Sequence, residues 1–408
     1  MLAMRAYRQA LAAGDINLAS KAGATLVRSG GAPPDTALLA IAIALGNKDG
    51  AGAQRALGQL SSGPLSFMAP ALGAWLAVNR GADPRPVLEK ARSNALASRY
   101  AALAEPMLTG AGRADVRAGV AALLTGFADD ISGQDLGVLS IVLTRSALLL
   151  DPAADQARIL LADALSRGGS HALALAELDQ VRPASQYLRA AEAGRVGAYR
   201  RAGRVADALT LARTLAGRED ATTAEFRGYA DTLAEAGQFD KAATAYAAAI
   251  ARSDGTAWEL HLAQGKALDR AGRWDAALPA LRRAVALGNE EAEALETLGE
   301  ALVRHGGNLA EAQALLERAR KLQPDDASIA DALAWAYFAA GDTARAVPLL
   351  EEAVKGDPAG ARVNEHLGDA YWRQGRRYEA RYAWSAAALH ADAEGAARLQ
   401  GKMANGIN

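Results

Sequence analysis

Acid–base or metal chemistry in this chain would have to be built from five histidines, His171, His261, His305, His366 and His390. None stands in an H-E-x-x-H or comparable ligand spacing, so no local stretch assembles a metal set or a positioned general base. The chain has no cysteine, which removes disulfides, cysteine-ligated zinc, iron–sulfur clusters and a thiol nucleophile together. There is no G-x-S-x-G elbow, and no glycine-rich run precedes a Lys-Ser/Thr pair as a phosphate loop requires. The carboxylate pairs Glu290-Glu291, Asp325-Asp326 and Glu351-Glu352 fall at helix starts or on outer faces, where acidic side chains complement the helix dipole or solvate the surface. The expectation is a protein that is not an enzyme, with no catalytic residue, no metal and no cofactor.

The elements that would position any site are helical. Of the 408 residues, 51% are hydrophobic but only 5% aromatic. The apolar content is therefore mostly alanine and leucine, which suits close helix-on-helix packing better than a bulky sheet core. Charged residues make up 22% and nearly cancel to a net −1, so no global field recruits nucleic acid or an anionic membrane. No transmembrane segment is expected: Ala37–Leu45 is too short and Val138–Leu150 is interrupted by Arg145. Met1–Ala13 carries Arg5 and Arg8 in a helical pattern without the apolar run of a signal peptide. Two locations stay open: cytoplasmic, or periplasmic and outer-membrane-associated if a leader has been removed.

Written in rows of 34, the chain repeats itself. Gly272, Ala277, Leu281 and Ala284 are followed by Gly306, Ala312, Leu316, Ala319 and Pro324. Leu333, Tyr337, Gly341, Ala346, Leu350, Ala353 and Pro358 come next, then Leu367, Gly368, Tyr371, Gly375, Ala380, Trp384 and Ala387. Unit starts near 121, 155, 189, 223, 258, 292, 327 and 361 are spaced by 34 or 35. This pattern resembles the tetratricopeptide repeat, a helix–turn–helix unit with small residues where its helices cross. The resemblance implies an all-α, right-handed α-solenoid of antiparallel hairpins. Gly at each turn is expected to take the left-handed conformation that ends the first helix, and Pro to stop the second. The one row with an extra residue, His305-Gly306-Gly307-Asn308, should lengthen its turn without breaking the stack.

Residues 1–120 are less regular and read as degenerate hairpins: Met4–Ala13 with Asn17–Val27, Asp35–Leu45 with Gly50–Leu60, and Ser66–Val78 with Pro86–Asn94. Leu96–Leu108 then precedes a turn at Gly110–Gly112. About eight regular units over 121–394 follow, and a capping helix over Ala391–Met403, within a 391–408 tail, closes the array.

The family resemblance implies that positions 2, 5, 9, 12 and 13 of the first helix line a concave groove for a protein or peptide partner. The last of these positions falls on Arg167, Arg201, Arg270, Arg304 and Arg373, with Glu235 and Ala339 breaking the series, and earlier ones on Lys266, Trp335, Phe338, Asp369 and Trp372. The aromatics would anchor a partner and the arginines would select acidic groups. Other readings stay open: an arginine in a last helical turn is favoured by the dipole with or without a ligand, and Trp335 and Trp372 could be buried against a neighbouring repeat or the cap. Arg373, Arg376, Arg377 and Arg381 gather beside Tyr378 and Tyr382. Such a cluster could mimic a nucleic-acid stacking surface, but Glu379 and Asp369 point instead to an ion-paired, solvated helix face.

Trp258-Glu-Leu-His-Leu-Ala-Gln-Gly265, Arg273-Trp274-Asp-Ala-Ala277, His305-Gly-Gly-Asn-Leu-Ala-Glu-Ala312 and Asp331-Ala-Leu-Ala-Trp-Ala-Tyr337 look like a narrower group. Asn364-Glu-His-Leu-Gly-Asp-Ala-Tyr-Trp-Arg-Gln-Gly-Arg-Arg-Tyr-Glu-Ala-Arg381 is the most specific segment. They resemble bacterial outer-membrane-associated tetratricopeptide lipoproteins, one type of which is the adaptor of a periplasmic carboxyl-terminal processing protease. This implies a scaffold, with such a protease as a possible partner. The alternatives are a cytoplasmic co-chaperone or peptide-binding module and, from another class, a catalytic module hidden in the first 120 residues.

Overall fold

Seven glycines with left-handed backbone beat out the repeat: Gly169, Gly203, Gly237, Gly272, Gly306, Gly341 and Gly375, with φ between 63° and 83°. Each follows the end of a helix, where only a residue without Cβ takes positive φ at little cost. The same device reaches the irregular part of the chain at Gly14 and Gly81, and at the corresponding turn between them Lys48 stands at φ 59°.

The computed structural model describes residues 2–109, 115–134, 136–288 and 290–407, without side chains at 93, 103 and 106–109. Among them every regular element is helical. They form two compact units, residues 1–214 and 215–408. The first holds α1 (Leu2–Ala13), α2 (Ile16–Arg28), α3 (Thr36–Gly46), α4 (Gly50–Ser61), α5 (Ala69–Asn79), α6 (Arg85–Glu89), α7 (Ala95–Thr109), α8 (Val116–Asp130), α9 (Gly137–Leu150), α10 (Asp155–Arg167), α11 (His171–Leu178) and α12 (Leu188–Arg201). The boundary falls inside α13 (Val205–Ala216). The second holds α14 (Thr223–Glu235), α15 (Phe239–Arg252), α16 (Trp258–Arg270), α17 (Trp274–Leu287), α18 (Ala292–Arg304), α19 (Leu309–Leu322), α20 (Ala327–Ala339), α21 (Thr343–Gly356), α22 (Ala361–Arg373), α23 (Arg377–Ala388) and α24 (Ala393–Asn405).

In the second unit, first helices begin at Thr223, Trp258, Ala292, Ala327 and Ala361, the residues where the 34-residue rows begin. The extra residue lengthens the α18–α19 turn to His305–Asn308 and leaves the hairpin paired. Pro324 and Pro358 each stand two residues past a helix end, the place where a residue lacking N–H and biasing its predecessor to extended backbone stops a helix. Each hairpin closes by a small residue under a large one. A Cβ on Gly265 or Gly299 would meet Leu281 or Leu316 at 2.6 Å, and on Gly368 the Trp384 ring at 2.4 Å. Buried Ala312, Ala319, Ala346, Ala353, Ala380 and Ala387 continue that contact line, so alanine is there because the helices touch.

The first unit packs differently. Its core gathers Tyr7, Trp75, Tyr100 and Leu143 from distant hairpins. Arg145 of α9 donates to the Leu11 and Ala12 carbonyls at 3.0 and 2.9 Å, satisfying the end of α1, and pairs with the buried Glu177. The helix expected over Pro86–Asn94 is cut short. It is the five-residue α6 followed by a 3-10 turn, because Asn94 adopts extended backbone and caps α7 through the Ala97 amide at 2.9 Å. The turn expected at Gly110–Gly112 lies outside the described residues. The cap helix runs two residues later than expected, as Asp392 accepts from the Gly395 amide and sets its start.

Candidate functional site

A helix places residues three, four and seven apart on one face, and in the second unit this aligns a row of polar and aromatic side chains on each of α18, α20 and α22. On α18 the row is Glu293, Glu296 and Glu300; on α20 it is Ser328, Asp331, Trp335 and Phe338; on α22 it is Arg362, Glu365 and Asp369. Together α14, α16 and α18 enclose a cleft of about 620 Å³. Its floor is Ala263, Ala267 and Leu281, and its rim carries Lys266, Asp269, Arg270, Glu293, Glu296, Glu300 and Arg304.

The rim is tied together from repeat to repeat. Lys266 donates to Glu293 at 2.7 Å, Arg304 to Asp269 at 2.6 Å, and Arg362 reaches back from α22 to Glu300 at 2.9 Å. Arg362 also lies 3.1 Å from the buried Asp331, which His366 contacts at 2.7 Å. Glu296 accepts a hydrogen bond from the Ser328 hydroxyl at 2.7 Å. Burial raises its carboxyl above the ordinary value, and the Glu300 and Asp326 carboxylates add to the rise against that hydrogen bond. Farther along, the Trp335 ring is stacked between Phe338 at 4.6 Å and His366 at 3.9 Å, centroid to centroid, and both Trp335 and Phe338 remain half-buried.

The ten residues expected to bind do not form one site. Arg167 and Arg201 belong to the first unit, where both pair with Asp163, Arg201 at 2.8 Å. Lys266, Arg270 and Arg304 do share the cleft. Lys266 and Arg304 are engaged by carboxylates, and Arg270 lies over the Phe239 ring at 5.5 Å. The arginine series therefore stitches the array as much as it faces outward.

Asp369 is not on an open groove. It is 6% exposed, accepts from Lys402 of α24 at 2.7 Å and from the Trp384 indole at 2.8 Å, and so lies under the cap helix. Glu365 beside it is held the same way: burial alone would raise its carboxyl, but hydrogen bonds from Arg398 and Lys402 keep it below the ordinary value. Trp372 is likewise half covered, its indole N–H donating to the Ile407 carbonyl at 3.0 Å. Arg373 is exposed and has no ion pair among the described residues. The rim acids Glu293 and Glu296 and the bridging Arg362 were not among the expected residues. Their signal was present, because they occupy the second and fifth places of first helices, the other groove positions of the repeat.

No group of three or more potential metal ligands occurs among the described residues, and no described helix is long and apolar enough to cross a membrane.

Residues 262–329 and 332–396 match the tetratricopeptide repeat family. A tetratricopeptide repeat protein from Parabacteroides merdae superposes with a TM-score of 0.50 at 17% identity, over 62% of this chain and 99% of its own. A thermophilic tetratricopeptide protein of Thermus thermophilus aligns at 19% identity and TM-score 0.40, covering 45% of this chain and 100% of its own. MamA aligns at 26% identity and TM-score 0.35, over 43% and 96%. No curated protein matches the chain significantly. Residues 262–329 and 332–396 are thus of tetratricopeptide type, and the chain shares an all-α repeat fold with the solved tetratricopeptide structure.

Proposed function

We propose that the chain is a non-catalytic adaptor whose second unit holds a segment of a protein partner in the α14–α16–α18 cleft. The cleft carries this reading: an open trough of about 620 Å³ with an alanine and leucine floor and a charged rim, the form in which helical arrays seat a peptide or helix. Lys266, Arg270 and Arg304 are its cationic contacts. Trp335 and Phe338 are the apolar anchors beyond it, large rigid side chains of the kind that dominate binding energy.

The partner we propose is an envelope carboxyl-terminal processing protease, which places the adaptor in the periplasm. Support comes from the likeness of segments within residues 258–381 to outer-membrane-associated tetratricopeptide lipoproteins. The test is affinity purification from the native host with wild type and with Thr297→Trp, which fills the cleft from its half-exposed wall. A processing protease retained by wild type and lost from the variant is expected. Its absence from both would overturn the protease assignment, and equal retention by both would overturn the cleft as its seat.

A further inference from the structure

Several cations of the second unit are spoken for. Lys266, Arg304, Arg362, Arg398 and Lys402 each hold a carboxylate across the repeats. At the far end of the unit three arginines gather without one. Arg373, Arg377 and Arg381 have no carboxylate partner among the described residues, although two acids lie close in sequence. Glu379 is taken by Arg376 at 3.1 Å, and Asp369 by Lys402 and Trp384.

Arg377 and Arg381 are held in place rather than loose. Arg377 lies over the Trp372 ring at 3.6 Å and Arg381 at 5.6 Å, and Arg381 also donates to the Met403 carbonyl at 2.8 Å. Trp372 is itself pinned by the Ile407 carbonyl. Along the same helix α23, Tyr378 and Tyr382 are 89% and 82% exposed, one turn apart, and Leu389 just past its end is 79% exposed. Single exposed apolar residues need no explanation, but two tyrosines side by side with ordered, uncompensated guanidinium groups make a surface lacking its counterpart.

We propose that this face of α23 and the end of α22 is a second docking surface, separate from the cleft, for an acidic segment of a protein. The guanidinium groups supply bidentate donors for carboxylates, and the tyrosines supply rigid contact area at low entropic cost. Charge complementarity selects the occupant. Three guanidinium groups fall short of the roughly 6–10 phosphate contacts of a nucleic-acid site. A membrane-surface helix needs a continuous apolar face under its basic residues, whereas here Ser385 separates Tyr382 from Leu389. An acidic peptide needs only the local patch.

The full chain is titrated with a fluorescent Glu/Leu peptide, the same peptide with Gln for Glu, vesicles of phosphatidylserine and phosphatidylcholine, and a single-stranded oligonucleotide. Saturable binding of the Glu peptide that weakens with salt and is absent for the Gln peptide is expected. The triple variant R373Q/R377Q/R381Q should weaken it by ~10-fold or more, as loss of complementary charge does, and Y378A/Y382A, at fully solvated positions, should weaken it with unchanged circular dichroism. Thr297→Trp should leave it intact, so this surface and the cleft stand or fall apart. Failure of wild type to bind the Glu peptide, equal binding by both patch variants, or binding to vesicles or oligonucleotide alone would overturn the proposal.

Discussion

Gly368 and Trp384 are packed so closely that one methyl group on the glycine would lie 2.4 Å from the indole ring. The ring is fully buried and its N–H is committed to Asp369 at 2.8 Å, so it cannot step aside. Gly368→Ala should therefore destabilise the protein by ~1–3 kcal/mol through overpacking. Gly401→Ala, at a helical position with nothing within 4 Å, should stabilise by ~0.5–1 kcal/mol. Urea denaturation followed by circular dichroism reads both; a stabilising Gly368→Ala would refute the close-packing account.

Lys48 occupies left-handed backbone at φ 59° in a turn where the array elsewhere uses glycine. A side chain there costs ~1–2 kcal/mol relative to right-handed backbone, a cost glycine escapes. Lys48→Gly is expected to raise stability by a net ~0.5–1 kcal/mol, seen as a higher melting temperature. An unchanged or lower melting temperature would count against the strained turn.

Asp35 is 6% exposed and its Oδ1 has no hydrogen-bond partner. Burial pushes its carboxyl up to about 6, with Arg8 opposing only in part. The native state then binds the proton more tightly than the unfolded chain, so this group's contribution to stability falls as pH rises from about 4 to about 6 and stays low above that. Asp35→Asn should be more stable than wild type at neutral pH, by at most ~3 kcal/mol, with the gap closing toward about pH 4. Paired melting curves across that range check it, and a gap that widens on acidification sinks the argument.

Lys402 is the cation that makes the buried Asp369 tolerable, 2.7 Å away. Lys402→Met strands that carboxylate and should cost ~3–5 kcal/mol, while adding Asp369→Asn should recover much of it. Failure of the double variant to recover would mean that Lys402 acts by packing alone.

The repeat was legible because its residues act on near neighbours. Gly272, Gly306 and Gly341 each close a turn with atoms a few residues away, and Ala346 touches Leu333's helix across one hairpin, so period and residue type suffice to place them. Pro86–Asn94 misled because Asn94 serves the next helix, not its own. That Lys266, Arg270 and Arg304 share a cleft follows from their neighbouring places in successive repeats, whereas the burial of Asp369 comes from α24, which the period does not encode.

By itself the sequence determined the helical class, the 34-residue register and the hairpin turns, all properties of local backbone and helix-face periodicity. Only the tertiary structure decided which charges are available. Arg373 and Arg304 sit at the same place in the repeat, yet Arg304 is locked to Asp269 of the previous first helix and Arg373 has no such partner among the described residues. The physical reason is that an ion pair depends on distances of a few ångströms between helices some 35 residues apart, which periodicity does not record.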